Sequence, residues 1–235
     1  MRFDRPLIAG RLLSRYKRFL ADVQLPDGSV ITAHTPNTGS MQGCADPGST
    51  AWLRDTANPD RKYPYSWEMV TTLDGVIVGI HTGYANTLVA EAIENGVIAE
   101  LQGYGSLKRE VTFANSGSRF DVFLSQGTAP DCYVEVKNVT LVDKGVAMFP
   151  DAVTARGAKH LRHLAEVVAG GGRAVLCFCV QREDAEVVRA ASHIDPLYAA
   201  TLAQVAAAGV EVLAYQASLS PEEIKLVRRL PVQLG

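Results

Sequence analysis

Two apolar stretches of the chain each carry an acidic residue at a position that a buried β-strand would enclose. Asp121 lies within residues 119–124, and Glu135 lies within residues 132–137. Successive side chains of a strand point to opposite faces, so each carboxylate points away from its apolar neighbours, and Lys137 shares the face of Glu135. If the two stretches pair as a hairpin, Asp121, Glu135 and Lys137 can converge.

Two carboxylates and an ammonium group suit phosphodiester chemistry. Mg²⁺ prefers carboxylate oxygens and retains several of its waters. Asp121 and Glu135, with a strand carbonyl, could hold Mg²⁺ or Mn²⁺, while Lys137 orients or helps to deprotonate an attacking water. The alternative is a structural Glu–Lys or Asp–Lys pair in a sheet, which is much the commoner arrangement for an isolated Glu-x-Lys motif. Asp121 upstream and the flanking helical segments favour the catalytic interpretation.

The pattern of the sequence changes near His81. Residues 7–80 contain short apolar runs separated by turn signals, and hairpins are predicted at residues 20–34 and 67–80. Such a segment favours a small antiparallel barrel or sandwich. In chain order, the predicted elements after His81 are a helix at residues 86–101, strands at residues 107–113, 119–124 and 132–137, a helix at residues 151–169, a strand at residues 173–180, a helix at residues 196–208 and a strand at residues 210–215.

Several local signals predict where these helices begin and end. Asn86 or Thr87 can cap the first helix, and Gly96 is expected to end or bend it. Asp151 is the predicted N-cap of the second helix. Residues 104–106 are predicted to form a turn between helix and strand.

Length and composition indicate an ordinary globular protein. The chain has 235 residues, of which 47% are hydrophobic, and we predict two domains, residues 1–82 and residues 83–235. No run approaches the ~20 apolar residues that span a bilayer, and residues 1–10 lack the apolar core of a secretion signal. The four cysteines form no CxxC pair and are predicted to be buried free thiols. We therefore expect a cytoplasmic protein with no membrane partner. Because the net charge is only −2, any contact with nucleic acid must come from local patches.

The spacing of the acidic residues resembles a nuclease signature. Asp121, thirteen residues and then Glu135-x-Lys137 resemble the PD-(D/E)xK motif, although Phe120 stands where the motif has proline. The predicted order of helix, three strands, helix and strand also resembles the core of that superfamily. The resemblance implies that Asp121, Glu135 and Lys137 are catalytic, with Asp121 and Glu135 as metal ligands.

Members of the superfamily often add an acidic residue from the preceding helix. Glu91 is the candidate for a fourth catalytic residue, and Glu94 is the alternative.

Nearly the whole chain is similar to the sugar fermentation stimulation protein family of bacteria and archaea. The residues that carry the likeness are 15–19, 36–39, 61–64, 67–68, 103–106, 118–121, 130–140 and 149–161. It implies an α/β protein of two domains: an N-terminal OB-type β-barrel, then a restriction-endonuclease-like α/β domain whose mixed central sheet is flanked by helices. It also implies DNA binding. Catalysis is inferred from the site residues, because the family name reflects a genetic effect on sugar use.

Cations beside aromatic residues mark candidate contacts to nucleic acid. OB surfaces bind phosphates through cations and stack bases on aromatic rings; the alternatives are solvated strands and a solvated helix face. The loop at residues 36–43 could approach a phosphate, but a barrel corner is favoured. His160 and His163 lack the i, i+4 spacing of common metal-binding pairs. The candidate nucleic-acid-binding residues are Arg15, Lys17, Arg18, Arg61, Lys62, Arg119, Arg156 and Lys159.

Two functions follow from this interpretation. The first is a Mg²⁺- or Mn²⁺-dependent DNA nuclease, endo- or exonucleolytic, with RNA as a further partner. The second is a non-catalytic DNA-binding regulator of sugar (maltose-type) metabolism genes that retains the nuclease fold. A sugar-binding function rests on the family name alone. The strandedness of the nucleic acid and the oligomeric state stay open, a homodimer included.

Overall fold

The first part of the chain forms a closed five-stranded barrel with a sixth strand at its edge. Gly28 and Gly75 adopt positive φ values of 86° and 83°, which their turns require. Both predicted hairpins are present, and a parallel pairing of Ala33 with Tyr65 closes the barrel. The sequence pattern did not locate the fourth strand. The strands are β1 Ile8–Tyr16, β2 Leu20–Gln24, β3 Val30–His34, β4 Thr50–Asp55, β5 Tyr65–Thr71 and β6 Ile77–Gly79, in the order β3-β2-β1-β4-β5-β6.

The elements of the second part of the chain are α1 Tyr84–Glu94, a 3-10 turn Ala99–Leu101, β7 Tyr104–Phe113, β8 Ser118–Gly127, β9 Cys132–Val139, β10 Leu141–Asp143, β11 Val146–Phe149, α2 Ala155–Ala169, β12 Arg173–Val180, β13 Val187–Ala190, α3 Pro196–Ala207, β14 Glu211–Leu219, β15 Ile224–Arg229 and β16 Val232–Gln233. Its main sheet is mixed and six-stranded, in the order β15-β14-β12-β9-β8-β7. A smaller sheet, β10-β11-β13-β16, lies beside it. The OB-type barrel followed by a restriction-endonuclease-like α/β domain is therefore confirmed.

This computed structural model describes residues 1–113 and 118–234. Residues 114–117 and Gly235, the last residue of the predicted second domain, lie outside the described residues, as does the side chain of Ser118. Within the described ranges, no helix is both long and apolar enough to cross a membrane.

The central strand β12 separates two hydrophobic cores. Its odd-numbered residues from Val175 to Cys179 pack in a core with α1, and its even-numbered residues pack in a core with α2 and α3. A strand buried on both faces reads as a continuous apolar run, as predicted here. All four cysteines are free and buried, as predicted. The centre of the sheet is thus covered on both faces.

The helix ends differ in part from the prediction. Helix α1 begins at Tyr84, and its N-cap Gly83 makes no side-chain capping bond, so Asn86 and Thr87 are not caps. The helix ends before Gly96, which adopts a φ of 74°, in agreement with the prediction. The predicted turn at residues 104–106 is wrong, because these residues begin β7.

Helix α2 begins four residues later than expected. Its N-cap is Thr154, whose side chain accepts a 3.0 Å hydrogen bond from the backbone N–H of Gly157. The predicted cap, Asp151, instead accepts hydrogen bonds from the N–H and hydroxyl of Ser40 at 3.0 and 2.9 Å. Asp151 therefore ties the second domain to a barrel loop rather than starting the helix.

Close backbone contacts join the two domains. The N–H of Gly79 donates to the carbonyl of Gln181 at 2.9 Å, and Val78 forms an antiparallel β-bridge with Arg182. A Cβ atom at Gly79 would lie 2.3 Å from the side-chain oxygen of Gln181, so a larger residue would force Gln181 to move. Residues 1–3, which the prediction assigned to the barrel, hydrogen-bond with residues 222–224 of the second domain. The barrel is thus held directly against the nuclease-like domain.

Candidate functional site

Asp121 lies on β8 just beyond the last residue that pairs with β9. Its Oδ2 accepts a 2.7 Å hydrogen bond from the backbone N–H of Val136, and its Oδ1 accepts one of 2.7 Å from the Asn86 amide on α1. Burial, followed by the charge of Glu135, raises the pKa of Asp121 above its usual value. The carboxylate thus bridges a helix and a strand beside a second acid.

Glu135 is almost completely buried, with 2% of its surface exposed. Its Oε1 accepts a 2.5 Å hydrogen bond from Lys137 Nζ and contacts His160 Nδ1 on α2. Burial acts to raise the pKa of Glu135, but the hydrogen bonds from His160 and Lys137 and their charges outweigh it and lower this pKa. Among the described residues, no group hydrogen-bonds to Oε2 of Glu135, although that atom is buried. One oxygen is therefore held by Lys137 and His160, and the other has no hydrogen-bond partner among the described residues.

Both carboxylates line one open cavity of about 410 Å³. Its wall also includes Lys137 from β9 and Arg156 and His160 from α2. The predicted convergence of Asp121, Glu135 and Lys137 is thus what the structure shows. Because Lys137, Arg119 and Arg156 outnumber the two carboxylates in this wall, the cavity can accept an anionic ligand such as a phosphate group.

Two further predicted cations, Arg119 and Lys159, lie near the site, but only Arg119 lines the cavity. Arg119 lines the cavity, but its guanidinium also pairs with Glu110 at 2.7 Å. Lys159 is exposed on α2 and does not line the cavity, although Arg156 on the same helix does. Of the two cations predicted on α2, only Arg156 faces the site.

Glu91 is not brought to the site, contrary to the prediction. Its carboxylate pairs with the amino group of Met1 at 2.6 Å. Glu91 follows Asn86 by five residues, which at 100° per residue turns it about 140° away around the helix axis. The alternative, Glu94, is exposed at the end of α1 and also does not line the cavity. Helix α1 instead contributes an amide, Asn86, which holds Asp121.

Arg15 is occupied by the barrel itself. Its guanidinium donates hydrogen bonds to the carbonyls of Arg18, Asn37, Gly39 and Ser40, at distances from 2.5 to 3.3 Å. We therefore assign Arg15 to holding the loop of residues 36–40, rather than to direct phosphate contact.

The remaining predicted cations are exposed. Lys17 and Arg18 form the turn between β1 and β2, with φ values of 49° and 65°. Arg61 and Lys62 lie on the loop between β4 and β5, where Lys62 Nζ is 5.5 Å from the centre of the Tyr63 ring. Neither pair lines the cavity that contains Asp121 and Glu135.

Three polar residues of the site were missed as functional candidates. Asn86 was considered only as a helix cap, and Asn138, which lines the cavity, follows the Glu135-x-Lys137 motif directly. The sequence places His160 on the helix face of Arg156 and rejects it as a metal-binding pair with His163, but assigns it no role in the site. Its spacing of four residues from Arg156 was the usable signal, because residues four apart share a helix face.

The residues present fit a hydrated hard cation better than a closed metal site. Among the described residues, no group of three or more His, Cys, Asp or Glu side chains is arranged to hold a metal ion. Asp121 and Glu135 supply two carboxylates, and the unpartnered Oε2 of Glu135 is a buried oxygen that needs a ligand. Mg²⁺ commonly binds through one or two carboxylates and keeps its waters, so this donor set suits Mg²⁺ or Mn²⁺.

Known protein families and a solved structure match the chain over most of its length. The sugar fermentation stimulation protein RE domain matches residues 83–223, and the N-terminal OB domain of the same family matches residues 13–80. Proteins named sugar fermentation stimulation protein homolog are 53% identical in Shewanella baltica and 55% identical in Geobacter metallireducens, each over 100% of both chains. A solved structure, Pyrococcus furiosus SfsA in complex with Ca²⁺, is 27% identical with a TM-score of 0.86 and covers 99% of this chain and 98% of its own. These matches show that the chain belongs to the sugar fermentation stimulation protein family.

Proposed function

We propose that this chain is a nuclease that uses Mg²⁺ or Mn²⁺ to cleave phosphodiester bonds of DNA, with RNA as the alternative substrate. The observation that carries the proposal is the convergence of Asp121, Glu135 and Lys137, from two neighbouring strands, on one open cavity. The structure of the Pyrococcus furiosus relative is described as a complex with Ca²⁺. This supports a divalent cation here, because Ca²⁺ and Mg²⁺ both take oxygen ligands.

Each residue of the cavity has a role in this proposal. Asp121 and Glu135 would hold the cation, Glu135 through its unpartnered Oε2. A bound divalent cation would polarise the phosphate and lower the pKa of a coordinated water. Lys137, which lies beside Glu135 Oε1, would orient the attacking water and offset negative charge as it develops. Arg156, exposed at the cavity wall, would position a phosphate group.

Cleavage of supercoiled plasmid and of single-stranded DNA by the purified protein tests this proposal. With Mn²⁺ or Mg²⁺ we expect cleavage that stops when the cation is chelated. A variant with both Glu135→Ala and Lys137→Ala should lose at least about 100-fold in rate, because it lacks a metal ligand and the group that orients the water. A variant with Glu223→Ala and Lys225→Ala removes a Glu–Lys pair outside the cavity, formed by partly buried Glu223 and exposed Lys225, and it is the matched control.

Equal cleavage by the wild type and the Glu135/Lys137 double variant would identify a contaminating nuclease and refute the proposal. Circular dichroism of both double variants shows whether each is folded. If the Glu223/Lys225 control also loses activity, the activity can no longer be assigned to the cavity that contains Asp121 and Glu135.

A second candidate function is a DNA-binding regulator of sugar metabolism genes without catalysis. The observation that favours it is the exposed pair Lys17 and Arg18 at the barrel turn, which do not line the carboxylate cavity, together with the family name. In that case DNA would bind without divalent cations and would not be cut. The logarithm of the binding constant should fall linearly with the logarithm of salt concentration, because phosphate contacts release counterions. A binding constant that does not change with salt concentration would exclude such binding.

A further inference from the structure

The turn between β1 and β2 carries an exposed aromatic ring next to cations. We define residues 17–19 as the hairpin tip. Phe19 is 41% exposed, and its ring centre lies 6.1 Å from that of His34 on β3. Lys17 and Arg18 precede it, and in the described part of the chain neither has an acidic partner within ion-pair distance. Two adjacent cations beside an open ring are the components that contact phosphates and stack with bases.

The hairpin tip is held beside the loop of residues 36–40. The Arg15 guanidinium bonds to the carbonyl of Arg18 in the tip and to the carbonyls of Asn37 and Gly39 in the loop. The loop is fixed at its other end by Ser40, which donates two hydrogen bonds to Asp151 of the second domain. The tip and the loop therefore form one continuous surface in the folded protein.

This surface leads to the carboxylate cavity. Thr38 and Gly39 of the loop line a second cavity of about 220 Å³. Thr82, Asn138 and Phe149 line both this cavity and the one that contains Asp121 and Glu135. The shared wall makes the two cavities neighbours, and Arg15 connects the hairpin tip to the loop that lines the first of them.

We infer that single-stranded nucleic acid is the form recognised, with a base stacked on Phe19 and the strand running over the loop of residues 36–40 into the carboxylate cavity. This inference rests on the proposed function for the end of the path, and it adds the strandedness and the route. A duplex hides the faces of its bases, so Phe19 would gain no stacking partner from it. An unpaired base offers its face to Phe19 while its phosphates meet Lys17 and Arg18.

Fluorescence anisotropy without divalent cations tests the inference apart from catalysis. The probes are a labelled 20-nucleotide oligothymidine and a 20-base-pair duplex with the same label. We expect the wild type to bind the single strand more tightly than the duplex. Phe19→Ala should weaken binding of the single strand by about ten-fold or more, which is the scale of one base–aromatic stack. Val30→Ala is the matched control, because Val30 is 57% exposed on the same barrel but is absent from the path.

The cation contacts are tested in the same assay. A variant with Lys17→Gln and Arg18→Gln should lose affinity and show a shallower salt dependence. Arg5→Gln with Lys144→Gln, at two exposed cations outside the predicted nucleic-acid-binding residues, is the control with equal charge loss. Duplex affinity equal to or above that for the single strand, or a Phe19→Ala effect no larger than that of Val30→Ala, would overturn the inference. The two proposals can fail separately. If the Glu135/Lys137 variant loses cleavage but the wild type shows no preference for the single strand, the nuclease proposal stands and only the path is wrong. If the wild type prefers the single strand as expected but shows no metal-dependent cleavage, the path stands and the nuclease proposal is wrong.

Discussion

The carboxylate of Asp121 accepts a 2.7 Å hydrogen bond from the backbone N–H of Val136, at the point where the pairing of β8 with β9 ends. A candidate metal ligand is therefore also a structural link between two central strands. Because the link needs an acceptor but no charge, asparagine can replace the aspartate. The amide oxygen of the introduced side chain can accept from Val136, and its NH₂ group can donate to a reoriented Asn86 amide.

Asp121→Asn should remove the loss of stability that ionisation of Asp121 causes in the metal-free protein. The folded protein raises the pKa of Asp121 above its value of 3.8 in an unfolded chain, so the folded state binds more protons in the interval between the two values. The contribution of Asp121 to stability is thus highest below about pH 4 and is lost as pH rises through the raised pKa. We expect the melting temperature of the variant, relative to wild type, to increase with pH across this interval in EDTA. A constant difference at all pH values would contradict the prediction.

His160→Ala should weaken binding of Mn²⁺ by about 10–100-fold, the usual effect of removing a group that orients a metal ligand. His160 holds Oε1 of Glu135 from α2, so its loss leaves only Lys137 to hold this oxygen. His160→Gln, whose amide can still donate to Oε1, should recover part of the affinity. Isothermal titration with Mn²⁺ measures the effect, and His193→Ala, at an exposed histidine, is the control. Equal affinity in all three variants would show that His160 does not position Glu135.

Short-range rules were sufficient to predict the strand part of the site. The alternation of side chains along β9 places Glu135 and Lys137 on one face, and antiparallel pairing with β8 brings Asp121 to them. These relationships depend on residues at most a hairpin apart. The same rules explain why the barrel hairpins were predicted.

The helical part of the site could not be predicted in this way. Which face of α1 meets the sheet depends on the rotation of the helix against its core, and that rotation selects Asn86 instead of Glu91. The contact of His160 with Glu135 likewise depends on how α2 packs across the sheet. Arg15 shows the same limit, because its partners lie on a loop that comes more than twenty residues later. Sequence patterns give the type of a residue, whereas long-range packing decides what it contacts.

Gly79→Ala should destabilise the protein by roughly 1–3 kcal/mol, the usual cost of overpacking. The new methyl group would lie 2.3 Å from Gln181 Oε1, and Gln181 cannot move away freely, because it is fully buried and donates to Asn138 at 2.5 Å. Urea denaturation measures the change in unfolding free energy. Gly170→Ala is the matched control, since its methyl group would meet only ordinary contacts of 3.4 Å or more. Equal stability of the two variants would mean that the domain junction is loosely packed.

Arg15→Lys should destabilise the barrel by about 1–3 kcal/mol, because one ammonium group cannot satisfy the four carbonyls that the guanidinium now bonds. Hydrogen exchange should become faster in residues 36–40, the loop that these bonds hold. Arg11→Lys, at an exposed position on the same strand, is the control that keeps the charge and should leave both quantities unchanged. Suppose instead that Arg15→Lys melts like wild type, keeps slow exchange in the loop and yet loses affinity for DNA. The arginine would then contact phosphate directly, as its sequence context first suggested, and its assignment to the loop would be wrong.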